Sequence, residues 1–173
     1  MGIRQITVRA RPGVPTQGLM NVSGVVFPCA LGRVGITAFK REGDGGTPLA
    51  RMRLLEGYVR DGRFPYRSQL PLARIGPKLG WCEVPSDRNY NRPVRMPYAA
   101  SHERMLRDDH LYDACIVLDW NIRPRVRGKG SAIFFHLARP GYEPTAGCVA
   151  VTAQVMRRLL PKLSRHTVLT VVR

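Results

Sequence analysis

The sequence predicts a mainly β fold, a sandwich or a barrel, on three observations. Apolar residues alternate with period two along most of the chain, glycine and proline punctuate those runs, and no long helical pattern alternates with them. Residues 3–9 alternate as a first strand. Residues 19–27 and 33–40 read as two more, with Pro28 and Gly32 between them. The run Arg41-Glu42-Gly43-Asp44-Gly45-Gly46-Thr47-Pro48 is turn-forming, because its glycines permit positive φ and Pro48 cannot donate to a ladder. Residues 51–60 form the next strand, closed by Asp61-Gly62. From 75 to 110 the alternation fails. Residues 81–93 are polar, aromatic and proline-marked, and 101–108 read as a short helix capped by Ser101. Residues 114–120 and 131–137 are apolar runs suited to buried strands. Residues 152–163 carry Val155, Met156, Leu159, Leu160 and Leu163 at helical spacing behind an N-cap at Thr152, and 167–172 close the chain as a strand.

The chain has 173 residues, 44% of them apolar and 23% charged, which is enough for one domain with a real core and excludes wholesale disorder. One domain over 1–173 is expected, with no internal repeat and no linker. No stretch reaches the eighteen or so consecutive apolar residues a spanning helix needs, so no membrane span is expected. Residues 1–9 lack the continuous apolar run of a secretory signal. The net charge of +16 invites a polyanion, yet the 24 arginines are spread along the chain and lysine occurs only four times. Without a clustered basic face, nucleic acid is not the expected partner; a carboxylate-rich envelope polymer suits the same surface equally well.

Cys29, Cys82, Cys115 and Cys148 lie 53, 33 and 33 residues apart, with no CxxC and no histidine within three positions, so no metal is expected. Cys115 sits inside an apolar run, as a small core residue does. Cys148 differs. It follows Thr145-Ala146-Gly147 at the end of a loop, where Gly147 lets backbone approach a ligand and consecutive amides at Gly147 and Cys148 face a carbonyl oxygen. A thiol needs a base to become a nucleophile, and His136 ends the strand 12 residues upstream. If the two stretches are neighbours in one sheet, loop 138–147 brings imidazole and thiol to the same edge, the general shape of a Cys-His acyl-transfer site.

Ser131-Ala132-Ile133-Phe134-Phe135-His136 followed by Pro144-Thr145-Ala146-Gly147-Cys148-Val149-Ala150-Val151 resembles the active-site segment of YkuD-type L,D-transpeptidases, a His, a spacer, then [Ser/Thr]-x-Gly-Cys. Gly46-Thr47-Pro48 is similar to the Gly…Thr-Pro segment of the same catalytic domain. The resemblance implies a β-sandwich with one or two short helices and a long capping loop, and a cysteine acyltransferase that acts on peptidoglycan stem peptides without a cofactor. It implies Cys148 as nucleophile, His136 as base and then acid, the Gly147 and Cys148 amides as oxyanion donors, Thr145 as a hydrogen-bonding support and the Leu137 carbonyl as the group that orients the imidazole. It also implies a periplasmic or envelope location, where the polymer is.

The chain departs from the family in its short His-to-Cys interval, in Ala146 where a histidine is frequent and in Ala150 where an arginine is common. Gly80-Trp81-Cys82, Tyr90-Asn91 and Pro144 to Cys148 are similar to a short branch for which L-alanine-to-diaminopimelate linkages join the usual diaminopimelate-to-diaminopimelate ones. In the long loop, Trp81, Tyr90 and Asn91 are candidates to cap the donor peptide, and Arg53, with Asp119 and Asn121, to bind its charged groups; a loop pinned by its own tryptophan is the competing reading. Two other functions stand beside the transpeptidase: a hydrolase on the same thioester chemistry, and a non-catalytic basic module for anionic polymers in which Cys148 is structural. A His-activated thiol is expected to alkylate fast at neutral pH, a structural one slowly.

Overall fold

Along β1 (Gln5–Arg11), Ile6 and Val8 are buried while Gln5 and Arg9 face outward, so the alternation of the sequence becomes the two faces of a strand. The computed structural model describes residues 2–173. The remaining strands are β2 (Val14–Val22), β3 (Val25–Ala30), β4 (Ile36–Thr37), β5 (Thr47–Pro48), β6 (Arg51–Val59), β7 (Leu72–Arg74), β8 (Leu79–Cys82), β9 (Pro93–Arg95), β10 (His102–Arg104), β11 (Ala114–Leu118), β12 (Phe134–Leu137), β13 (Val149–Val151) and β14 (Val168–Val171). Helix α1 spans Ala153–Leu159, capped by the Thr152 side chain accepting from the Val155 N–H, and runs on into a 3-10 turn at Leu160–Lys162.

The main sheet has the order β11-β12-β13-β3-β2-β1-β14-β6-β7, and a further pairing of β11 with β6 joins its ends. Strand β6 makes this closure possible by its length. Arg51 to Arg53 pair with β14 on one edge, Gly57 to Val59 with β7 farther along that edge, and Leu54 to Val59 with β11 on the other. The mainly β class is therefore as expected, and of the two forms the alternation allowed the strands close into a barrel-like ring, where the family resemblance implied a sandwich. Ile6, Val8, Met20, Leu54, Phe135, Val149, Val151 and Leu169 fill the ring, and Met156, Leu159, Leu160 and Leu163 of the helical segment complete that core.

A second core lies outside the ring. The small antiparallel sheet β10-β8-β9 covers the outer face of β11 and β12, burying Trp81 and Met105 against Cys115, Val117, Phe134 and Cys148. Cys148 thus sits between the barrel wall and its cover.

Three expected elements differ. The run 19–27 is split into a hairpin at Ser23 (φ 52) and Gly24 (φ 87), a two-residue turn with both central residues left-handed, braced by the Gly24 N–H donating to Asn21 Oδ1. Of residues 33–40 only β4 is strand, because Gly35 (φ 76) turns the backbone and β4 pairs with β5 instead of joining the main sheet. Residues 101–108 are not helical: Ser101 Oγ donates to Glu83, and His102 to Arg104 pair with Gly80 to Cys82, so strand pairing overrides the capping signal.

Candidate active site

Strands β12 and β13 run parallel with His136 opposite Ala150. Phe135 and Val149 point into the ring, so Phe134, His136 and Cys148 share its outer face. Cys148 and His136 are 6% and 5% exposed, and both open onto one cavity of about 250 Å³.

The Cys148 thiol donates to the Ala132 carbonyl (3.2 Å) and accepts from the Phe134 N–H (3.3 Å). His136 donates from Nδ1 to the carbonyl of Leu137 (2.9 Å), which leaves Nε2 as the basic nitrogen. Burial pushes the Cys148 thiol up to about 12, with the Glu103 carboxylate adding to the effect, and burial pulls His136 down to about 4. At neutral pH the pair therefore rests as thiol and free imidazole, not as an ion pair.

Thr145 builds the turn before the thiol. Its hydroxyl donates to the Cys148 carbonyl (2.7 Å) and accepts from the Gly147 N–H (3.1 Å). The Gly147 amide, expected to face an oxyanion, is thus held within the turn. Gly147 has φ +136, and a Cβ there would stand 2.7 Å from the Gly46 carbonyl oxygen. The Gly46-Thr47-Pro48 segment is therefore packed against the turn that precedes Cys148, and Thr47 Oγ1 accepts from the Gly32 N–H beside it. Leu31 and Arg33 exchange backbone hydrogen bonds with Thr145 and tie the turn to the end of β3.

A match of the YkuD model, the L,D-transpeptidase catalytic domain, covers residues 16–172. The chain belongs to the L,D-transpeptidase catalytic domain family. No curated protein and no solved structure matches it.

Around the thiol and imidazole of this transpeptidase domain, Tyr112 packs edge-on against His136 (5.1 Å between ring centroids) and against Phe134 (5.7 Å). Its hydroxyl donates to Glu103 (2.6 Å), and the Arg107 guanidinium lies over its ring at 5.0 Å. Burial pushes the Glu103 carboxyl above its ordinary range. Four of the chain's five glutamates, Glu42, Glu83, Glu103 and Glu143, line the cavity together with Arg33, Lys40, Arg107 and Arg139. None of the four makes an ion pair among the described residues. Tyr112, Glu103, Arg107 and Arg139 were not singled out by the sequence, where they are scattered through loops without a motif.

The loop candidates lie elsewhere in the transpeptidase domain. Trp81, Tyr90 and Asn91 are 2%, 2% and 1% exposed and do not line the cavity. The Trp81 Nε1–H donates to Asn91, and the Tyr90 hydroxyl donates to Glu42. Their polar atoms are engaged within the protein, and two of those partners, Glu42 and Ala132, line the cavity. Arg53 lines a separate cavity with Asp119 and Arg123, and its N–H donates to Asp119. All four cysteines are free thiols, no group of three metal-ligating side chains occurs among the described residues, and no helix there is long and apolar enough to cross a membrane.

Proposed function

We propose that residues 1–173 form one catalytic unit, a cysteine acyltransferase that cross-links peptidoglycan stem peptides in the periplasm or cell envelope. The observation that carries this reading is the opening of Cys148 and His136 onto one cavity, on the shared outer face of two parallel strands, in a chain of the L,D-transpeptidase family.

In the reaction, a donor carbonyl enters above Cys148 and His136 Nε2 takes the thiol proton as sulfur attacks the carbonyl carbon. The imidazole is suited to this because it is unprotonated at rest, and a proton gained late is stabilised by the Nδ1–H bond to Leu137. The Cys148 N–H is the oxyanion donor, and Gly147 and Thr145 hold the turn that aims it. The amide C–N bond then breaks, His136 returns the proton to the leaving amine, and a thioester remains on Cys148. An acceptor amine attacks that thioester, gives its proton to His136, and the thiol is restored. Every step runs on these side chains and needs no metal or cofactor.

The mixed charge of the cavity fits a peptide that carries both signs: Arg107 and Arg139 suit stem carboxylates, and Glu83 and Glu103 suit an acceptor ammonium. The acceptor links through diaminopimelate, with diaminopimelate or L-alanine as the donor residue.

Incubating purified muropeptides with the wild type and with Cys148→Ala, followed by mass spectrometry, tests the proposal. Dimers formed only by the wild type support transpeptidation, and their fragmentation gives the linkage. Shortened monomers alone overturn it in favour of a hydrolase, and no change with any muropeptide overturns it in favour of a binding module.

A further inference from the structure

Asn91 has no atom left for a ligand. Its Oδ1 accepts from the Trp81 Nε1–H (3.0 Å) and the Ala132 N–H (3.0 Å), and its Nδ2 donates to the carbonyls of Trp120 (3.1 Å) and Asn121 (3.0 Å). A side-chain amide buried with every hydrogen bond made fixes what it touches. One of the groups it touches is unusual. Ala132 has φ +52, a left-handed backbone that a residue with a Cβ adopts only where its surroundings impose it. The carbonyl of that same residue accepts the Cys148 thiol proton. The adjacent residues are braced in parallel, since Tyr90 and Ser131 both donate to the Glu42 carboxylate.

We propose that Asn91 is a positioning residue for the nucleophile: by holding Ala132 in the left-handed conformation it aims the Ala132 carbonyl at the Cys148 thiol, and so sets where sulfur and proton stand before substrate arrives. This rests on Cys148 being the nucleophile, as proposed above. The sulfur lies between two opposed hydrogen bonds. The Phe134 N–H favours the thiolate and the Ala132 carbonyl favours the thiol. Asn91 bonds directly to Ala132 and reaches Phe134 only through the Trp81 ring, which packs edge-on against it at 5.1 Å. Glu103, Lys40, Arg107, Tyr112 and Cys115 also act on this sulfur electrostatically, and His136 shares its cavity. All six are unchanged in the variants below.

The test compares Asn91→Gly and Trp81→Phe with the wild type. Asn91 itself has φ +54, so glycine removes the side chain without adding backbone strain. Trp81→Phe removes the other donor to the same oxygen. Each variant is checked for folding by circular dichroism, then read by iodoacetamide alkylation of Cys148 across pH and by kcat and KM for muropeptide turnover. For Asn91→Gly, alkylation at neutral pH rises about five-fold while kcat falls about ten-fold and KM stays within about two-fold. Trp81→Phe keeps the wild-type alkylation profile.

A wild-type alkylation profile and kcat in Asn91→Gly overturn the proposal. So does a Trp81→Phe profile that moves as far as that of Asn91→Gly, because Asn91 is then only a loop pin. If Asn91→Gly does not fold, Asn91→Ser, too short to reach Ala132, takes its place with the same expected result. Should the wild type itself turn over no muropeptide, the functional reading fails separately and the alkylation profiles still decide this one.

Discussion

The Sγ of Cys148 donates to the main-chain carbonyl of Ala132, 3.2 Å away, so the thiol proton is held on backbone in the resting protein. With burial pushing that thiol up to about 12, the unliganded protein reacts slowly with small electrophiles at neutral pH, and the rate climbs with pH throughout the alkaline range. A thiol already activated by His136 in the resting protein gives the opposite outcome, fast alkylation at neutral pH. Timed alkylation with intact-mass detection checks the slow reaction; saturation below about pH 8 contradicts it.

Cys148→Ser keeps a hydroxyl that donates to Ala132 but replaces the sulfur. Acyl transfer falls by at least about a thousand-fold while the thermal midpoint stays within a few degrees of the wild type. Dimer yield by mass spectrometry and a melting curve read the two separately.

His136 titrates near 4 in the folded chain against an ordinary 6.5. As pH falls below 6.5 the unfolded chain takes the proton first, so stability is complete above 6.5 and is lost progressively towards 4. The amount is on the order of 3 kcal/mol. Melting curves from pH 4 to 8 show a steep decline for the wild type and a shallower one for His136→Gln. Equal slopes contradict the prediction.

Gly147→Ala brings a methyl group to within 2.7 Å of the Gly46 carbonyl at a φ of +136. Backbone must move on one side or the other, at a cost of at least about 2 kcal/mol, and turnover falls with it. Thr145→Val, which leaves both the Gly147 N–H and the Cys148 carbonyl without their partner, lowers stability by about 1–2 kcal/mol, and Thr145→Ser recovers most of it. Chemical denaturation measures all three variants.

Glu103→Gln removes a negative charge that acts on Cys148 and keeps an acceptor for the Tyr112 hydroxyl. Thiol alkylation at a fixed mildly alkaline pH becomes about two- to five-fold faster. An unchanged rate means that Glu103 is uncharged at that pH.

The pair at the centre of the site was legible because His136 and Cys148 stand at the ends of apolar runs and a glycine precedes the thiol. The Leu137 carbonyl beside the imidazole was an implication of the family resemblance, and the hydrogen bond from His136 Nδ1 stands where that resemblance put it. What the sequence hides is conformation imposed from a distance. Nothing about alanine announces a left-handed Ala132, and nothing in Tyr90-Asn91 distinguishes an exposed cap from a buried brace. That distinction depends on β8 and β10 pairing over Phe134. The same pairing defeated the helix read at 101–108, where Ser101 found Glu83 in place of a helix end. The barrel closure was hidden too, since two long-range partners on opposite edges of β6 leave no local mark.

That closure decides how a peptide can be recognised. Around the ring β6 pairs with β14 and β7 on one edge and with β11 on the other, and β12 lies between β11 and β13. On the function proposed above, a peptide at Cys148 therefore finds both edges of β12, the strand that carries His136, already paired. What is left to hold it is the side chains and turn amides around the cavity, Arg107, Arg139, Glu83 and the Cys148 N–H among them, and not the ladder of a neighbouring strand.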